Sequence, residues 1–227
     1  MEIQPAPGAV PRGRTPRTAE DPLRMAVLAS GSGTNLEAIA CACEEGELPA
    51  RIVLVFSNVP DAYALERARR HGLKAVHLHP RAFPSRHHYD RALVELLKEN
   101  EVELVVLAGY MLLVGPEVVE AFRDRIMNIH PALLPSFPGT RGVADALAYG
   151  VKVTGVTVHF VDEGLDTGPI ILQEAVQVEE DDDEKTLHQR IHQAEYRVYK
   201  EAIRLFAQGR LRLEGRRVRI LAEPPGP

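Results

Sequence analysis

Met25-Ala26-Val27-Leu28-Ala29-Ser30-Gly31-Ser32-Gly33-Thr34-Asn35-Leu36 decides the fold class, because an apolar run passes into a glycine-bearing turn and then into helical spacing. Met25 to Ala29 reads as a strand and Leu36 to Cys43 as the helix after it. The rhythm continues outward: a strand from Ile52 to Phe56, a helix from Tyr63 to Arg70, a short strand from Ala75 to Leu78 and a helix from His88 to Lys98. Leu104 to Ala108 is apolar without interruption, the pattern of a strand buried on both faces, and Ile126 to Ile129 supplies another strand. Strands alternating with helices predict an α/β fold with a Rossmann-like, mostly parallel central sheet flanked by helices.

The second half changes character. Val153 to Val161 and Ile170 to Val178 are β-rich segments close in sequence, which makes the predicted sheet mixed. Asp181 followed by Glu184 resembles a capping box, and Leu187, Ile191, Ala194 and Val198 then recur at helical spacing. The acidic run from Glu179 to Glu184 suits the positive end of that helix. Arg210 to Leu221 is expected to form a terminal hairpin. Ahead of Leu23, five prolines alternate with Arg12, Arg14 and Arg17, so residues 1–22 read as a disordered tail and 23–227 as a single domain.

Composition narrows the function classes. The chain has 227 residues, 45% hydrophobic and 26% charged, with no apolar stretch long enough to span a bilayer, so no membrane role is expected. A net charge of -5 argues against a broad nucleic-acid footprint. Cys41 and Cys43 are the only cysteines; they face different sides of one predicted helix and have no second pair to complete a zinc site. No metal is expected there or at His77, His79, His87 and His88. The cysteine usage and the lack of an export signal suggest a cytoplasmic protein.

Two constellations carry chemistry. Gly31 and Gly33 stand where a strand gives way to a helix, so the first amides and the dipole of that helix can receive a phosphate. Leu36 occupies the place of the third glycine of a dinucleotide fingerprint, which favours a monophosphate over a pyrophosphate; a tight turn without a ligand is the alternative reading of the loop alone. Farther on, Asn128-Ile129-His130-Pro131 ends an apolar run, and Asp166 lies in Asp162-Glu163-Gly164-Leu165-Asp166-Thr167-Gly168-Pro169. An amide, an imidazole and a carboxylate that holds that imidazole protonated suit a carbonyl becoming an oxyanion. Thr157 and His159, two apart on a strand, share a face and are candidates to support this trio, or a structural pair.

Gly31-Ser32-Gly33-Thr34-Asn35-Leu36, Phe56-Ser57-Asn58, Leu107-Ala108-Gly109-Tyr110-Met111, Asn128-Ile129-His130-Pro131 and Leu165-Asp166-Thr167-Gly168-Pro169, in this order and spacing, resemble the phosphoribosylglycinamide formyltransferase family. The resemblance covers nearly everything after Leu23. It implies a formyltransferase fold and transfer of a formyl group from 10-formyltetrahydrofolate, as formyl-donating cosubstrate, to the amine of glycinamide ribonucleotide in purine biosynthesis. It implies catalytic roles for Asn128, His130 and Asp166, and substrate contacts from Gly31, Gly33, Thr34 and Asn35 to the phosphate and ribose. It further implies a ribose contact from Glu195 and a pterin site along the backbone of Met111, Leu112, Leu113 and Val114.

Leu112 stands where relatives often carry arginine, and Tyr196 where histidine commonly follows the glutamate, so Tyr196 receives no role. His188, His192 and Glu195 lie at i, i+4 and i+7, a polar stripe that taken alone reads as a solvated helix face. The turn-rich stretch from Leu133 to Thr140 is expected to form a loop able to close over substrate. The expected partners are these two small molecules, with the chain a monomer or homodimer. Formyltetrahydrofolate deformylase shares the chemistry but usually has a regulatory domain not seen here. Methionyl-tRNA formyltransferase needs an RNA-binding domain, and a noncatalytic phosphoribosyl sensor would not need the Asn-His-Asp trio.

Overall fold

Residues 16–223 are described by the computed structural model. Strand β1 (Leu23–Leu28) lies mid-sheet, and Met25 to Leu28 are wholly buried. It pairs in parallel with β2 (Ala50–Ser57) on one side and β4 (Leu104–Leu107) on the other; β2 pairs with β3 (Ala75–His77) and β4 with β5 (Ile126–His130), again in parallel. Two antiparallel strands, β6 (Val153–Phe160) and β7 (Ile170–Gln177), complete a seven-stranded sheet of order β3-β2-β1-β4-β5-β6-β7. A two-stranded hairpin, β8 (Leu211–Glu214) and β9 (Arg217–Ile220), follows. The mixed, mostly parallel α/β architecture matches the fold expected from the sequence.

Alternation along the strands builds two cores. Met25 and Val27 face one layer, which contains α1 (Thr34–Glu44), α2 (Tyr63–Arg70), α5 (Gly142–Tyr149) and α6 (Glu184–Ala207). Ala26 and Leu28 face the other, packed under α3 (Arg86–Glu99) and α4 (Pro116–Ala121). Because β2 and β3 extend one way from β1 while β4 and β5 extend the other, the sheet has a switch point between β1 and β4. A crevice opens beyond their carboxyl ends, where ligands bind in open α/β sheets.

Several local expectations need correction. The capping box that starts α6 is Asp183 with Thr186, not Asp181 with Glu184: Thr186 N–H donates to Asp183 Oδ1 at 2.7 Å, and Asp183 N–H donates back to Thr186 Oγ1 at 3.0 Å. Asp182 instead takes Arg190 at 2.7 Å. Helices α4 and α5 were not expected; α4 is short, and α5 opens at Gly142 without a side-chain cap. Of the tail expected over 1–22, residues 1–15 lie outside the described residues. Within the remainder, Arg17 N–H donates to Ala207 O at 2.9 Å and its guanidinium pairs with Asp21 and Glu103, so this portion is tied to the domain. No helix among the described residues is long and apolar enough to cross a membrane.

Candidate active site

The turn after β1 is held open by α2. Gly33 is the N-cap of α1 with φ of 72°, a conformation that favours glycine, and a Cβ there would stand 2.8 Å from the Ala64 Cα. Ala64 N–H donates to Gly31 O at 3.0 Å, and Arg67 Nε donates to Ser32 O at 2.9 Å. With its carbonyls engaged from behind, the turn aims the first amides of α1 into the crevice, where they lack intrahelical acceptors.

Asn128 and His130 sit at the carboxyl end of β5, and the antiparallel register places His159 opposite Asn128 and Thr157 opposite His130. Asp166 comes in from the connection between β6 and β7. That connection is tight: Thr167 Oγ1 donates to Asp162 Oδ1 at 2.6 Å, and a Cβ at Gly168 would meet Phe160 O at 1.7 Å. Asp166 Oδ1 lies 3.4 Å from Asn128 Nδ2 and 3.6 Å from His159 Nε2. Asp166 Oδ2 lies 3.5 Å from His130 Nδ1 and accepts the Gly139 N–H at 2.8 Å.

The proton positions follow from the partners. His130 Nε2 faces the Phe137 carbonyl at 2.7 Å and must donate. His159 Nδ1 donates to Phe160 O at 2.8 Å, and its Nε2 lies 3.3 Å from Asn128 Nδ2. Burial alone would raise the Asp166 carboxyl, but His159, the Gly139 amide and His130 hold it below the usual carboxylate range. Burial also draws the His130 imidazole below its ordinary range, although Asp166 and the Phe137 carbonyl pull upward. At the ring that the sequence reading takes as protonated, desolvation and the neighbouring carboxylate thus act in opposite directions.

Thr157 and His159 both adjoin this cluster but do different things. His159 touches Asn128 and Asp166 directly. Thr157, completely buried, donates to Ala132 O at 2.7 Å and accepts from Leu134 N–H at 3.0 Å and Gln173 Nε2 at 2.9 Å. It fixes the backbone that leaves β5, and so the loop that carries Phe137 and Gly139.

Across the crevice, Asn35 Nδ2 donates to Glu195 Oε2 at 2.9 Å, with both side chains buried. Burial pushes the Glu195 carboxyl up to about 7 despite Asn35, and Asn35 Oδ1 is buried with no hydrogen-bond partner. His188 and His192 line the same cavity, with ring centres 4.2 Å apart, and His192 Nε2 lies 3.8 Å from Glu195 Oε2. The stripe read as a solvated face is a cavity wall. Burial, and then His188, lower the His192 imidazole.

The segment after β4 forms the third side. Met111 and Leu113 are exposed, whereas Leu112 and Val114 pack on the α3 layer. Ser30 joins this segment to the turn after β1: its Oγ accepts the Met111 N–H at 2.8 Å and donates to Asn58 Oδ1 at 2.6 Å. One cavity of about 420 Å³ touches Gly33, Asn128, Asp166, Glu195 and the run 111–114. Sequence reading missed Ser30, Phe137, Gln173 and the two histidines of α6. Ser30 left a local signal, a polar residue ending the first strand, and the histidines left their helical spacing, whereas Phe137 and Gln173 left none.

A family model described as formyl transferase matches residues 23–203. The phosphoribosylglycinamide formyltransferase of Bacillus subtilis (strain 168) is 42% identical over 181 residues, covering 80% of this chain and 93% of that protein. The phosphoribosylglycinamide formyltransferase of Mycobacterium tuberculosis (strain ATCC 25618 / H37Rv) is 45% identical over 213 residues, covering 91% and 97%. The crystal structure of glycinamide ribonucleotide transformylase 1 from Symbiobacterium toebii superposes with a TM-score of 0.87 at 57% identity, covering 88% of this chain and 95% of that one. With matches of this length and likeness, the chain belongs to the phosphoribosylglycinamide formyltransferase family.

Proposed function

We propose that this chain transfers the formyl group of 10-formyltetrahydrofolate to the amine of glycinamide ribonucleotide in purine biosynthesis. One observation carries the reading: a single cavity joins the turn after β1, the Asn128-His130-Asp166 cluster and the stretch 111–114. A ribonucleotide with its phosphate on the amides at Gly33 to Asn35 and its ribose toward Glu195 extends its amine toward Asp166. A pterin paired with the backbone of Met111 to Val114 enters from the other side, so the two substrates meet at Asn128 and His130.

The chemistry follows from the protonation states. Nitrogen attack on the formyl carbon forms a tetrahedral intermediate whose oxygen carries the developing charge. Asn128 Nδ2 and the His130 Nε2–H are the donors for that oxygen, which takes the place of the Phe137 carbonyl as acceptor. A well-placed donor of this kind lowers a barrier by roughly 3 kcal/mol. Asp166, held ionised, receives the proton lost by the attacking nitrogen, directly or through water. The same proton passes to the folate nitrogen as its bond to the formyl carbon breaks, so protons balance without a covalent enzyme intermediate.

The test is formyl transfer followed with and without glycinamide ribonucleotide, with released formate assayed in parallel. Ribonucleotide-dependent turnover without formate is expected. Formate release without the ribonucleotide would replace the proposal with a deformylase, and tight ribonucleotide binding without turnover would replace it with a sensor.

A further inference from the structure

Outside the cleft, one side of α1 meets the end of α2 around a group with no part in formyl transfer. Glu37 and Cys41 stand one helical turn apart on α1, and His71, the C-cap of α2, comes in against them. One donor atom from each of the three lies within 4.8 Å of the others. His71 Nε2 is 3.2 Å from Glu37 Oε1, and His71 Nδ1 is 2.7 Å from Glu44 Oε1. The His71 side chain is only 13% exposed. The second oxygen of Glu37 is taken by Arg67 Nη1 at 2.8 Å, so Oε1 is the one that faces the histidine.

We propose that Glu37, Cys41 and His71 form a site for a zinc-type divalent ion, with Glu44 orienting the histidine and water completing the coordination. The donor set is one carboxylate oxygen, one thiolate and one imidazole, which suits zinc and cobalt and is foreign to magnesium or calcium. Oxygen and nitrogen ligands each about 2.0–2.2 Å from a tetrahedral ion lie roughly 3.3 Å apart, and the Glu37 to His71 spacing already matches. Metal-bound histidines almost always give their other ring N–H to a carboxylate or carbonyl, and Glu44 occupies that position. Cys43 packs against the core and takes no part.

The location gives the ion a task. Arg67, which holds Glu37, also grips Ser32 O, and Ala64 of the same helix packs under Gly33. An ion joining α1 to the end of α2 braces the two helices that shape the turn after β1, so it stabilises the fold without touching substrate.

The experiment titrates the full chain, stripped with chelator, first with Co2+ and then with Zn2+. One Co2+ per chain is expected, with a thiolate-to-cobalt charge-transfer absorption that Zn2+ abolishes, and Zn2+ should raise the melting temperature. Cys41→Ser should remove the absorption, Cys43→Ser should keep it, and Glu44→Gln should weaken binding about 10- to 100-fold. His71→Gln serves where Cys41→Ser fails to fold, and should likewise reduce affinity. Cobalt bound without a thiolate band overturns the site and leaves adventitious binding at a pair such as His188 and His192, and a band that survives Cys41→Ser overturns it by moving the thiolate to Cys43.

Discussion

Glu195→Gln should make the substrate-free protein more stable, and increasingly so as pH rises. Glu195 is 4% exposed, and its carboxyl titrates at about 7 rather than at 4.5 because burial penalises its charged form. The sign is that of a raised acid. The folded protein holds a proton that the unfolded chain releases, so the associated stability is fully present below pH 4.5 and is lost as pH rises through about 7. A tenfold change in proton affinity corresponds to about 1.4 kcal/mol, which gives the ionised state a penalty of roughly 3 kcal/mol. Glutamine has no charge to desolvate, and its amide N–H is a donor of the kind that the unpartnered Asn35 Oδ1 lacks. Thermal unfolding of both proteins near pH 5 and near pH 8 is the assay. The difference between them should widen by about 2–3 kcal/mol, or roughly 5–10 °C for a domain of this size. A difference that stays constant with pH would refute the assignment of a buried, proton-holding Glu195.

Two further substitutions probe the frame of the site. Gly33→Ala places a Cβ 2.8 Å from Ala64 Cα at a φ of 72°, so the turn must move; left-handed strain and overpacking together cost about 2–4 kcal/mol. The Michaelis constant for the ribonucleotide should rise by at least tenfold while that for the folate changes little, and an unchanged value would remove the phosphate from this turn. Thr157→Val deprives Ala132 O, Leu134 N–H and Gln173 Nε2 of a buried partner and should cost about 1–3 kcal/mol. Denaturant unfolding checks the stability, and steady-state kinetics should show turnover falling as the loop bearing Phe137 and Gly139 loses its anchor.

What the sequence disclosed, and what it hid, divides along the range of the forces involved. Met25 to Ala29 and Leu104 to Ala108 were legible as central strands because burial on both faces leaves an unbroken apolar run. The Gly31–Gly33 turn was legible because two glycines stand where an apolar run gives way to helical spacing, and Gly33 does adopt a positive φ there. Asn128, His130 and Asp166 stood out through side-chain chemistry and a strand-end position before the family resemblance was added, and the structure brings them within a few ångströms of one another. The burial of His130 was not legible, since it is set by the whole fold. The same holds for His188 and His192: helical spacing says that they share a face, but not that the face turns toward the crevice. Helix α5 was hidden because Gly142 opens it without a capping side chain. Phe137 and Gln173 act through a backbone carbonyl and through a partner on a neighbouring strand, and neither leaves a mark in one dimension.

The central claim is that Asp166 moves the proton while Asn128 and His130 hold the oxyanion, and Asp166→Asn tests it most directly. The amide oxygen can still accept the Gly139 N–H, so the fold and the ribonucleotide site should persist. Measured side by side, ribonucleotide affinity by titration should stay within a few-fold of the parent while turnover falls about 10²- to 10⁴-fold, the usual contribution of a positioned acid-base group. Turnover close to that of the parent, with binding intact, would contradict the account.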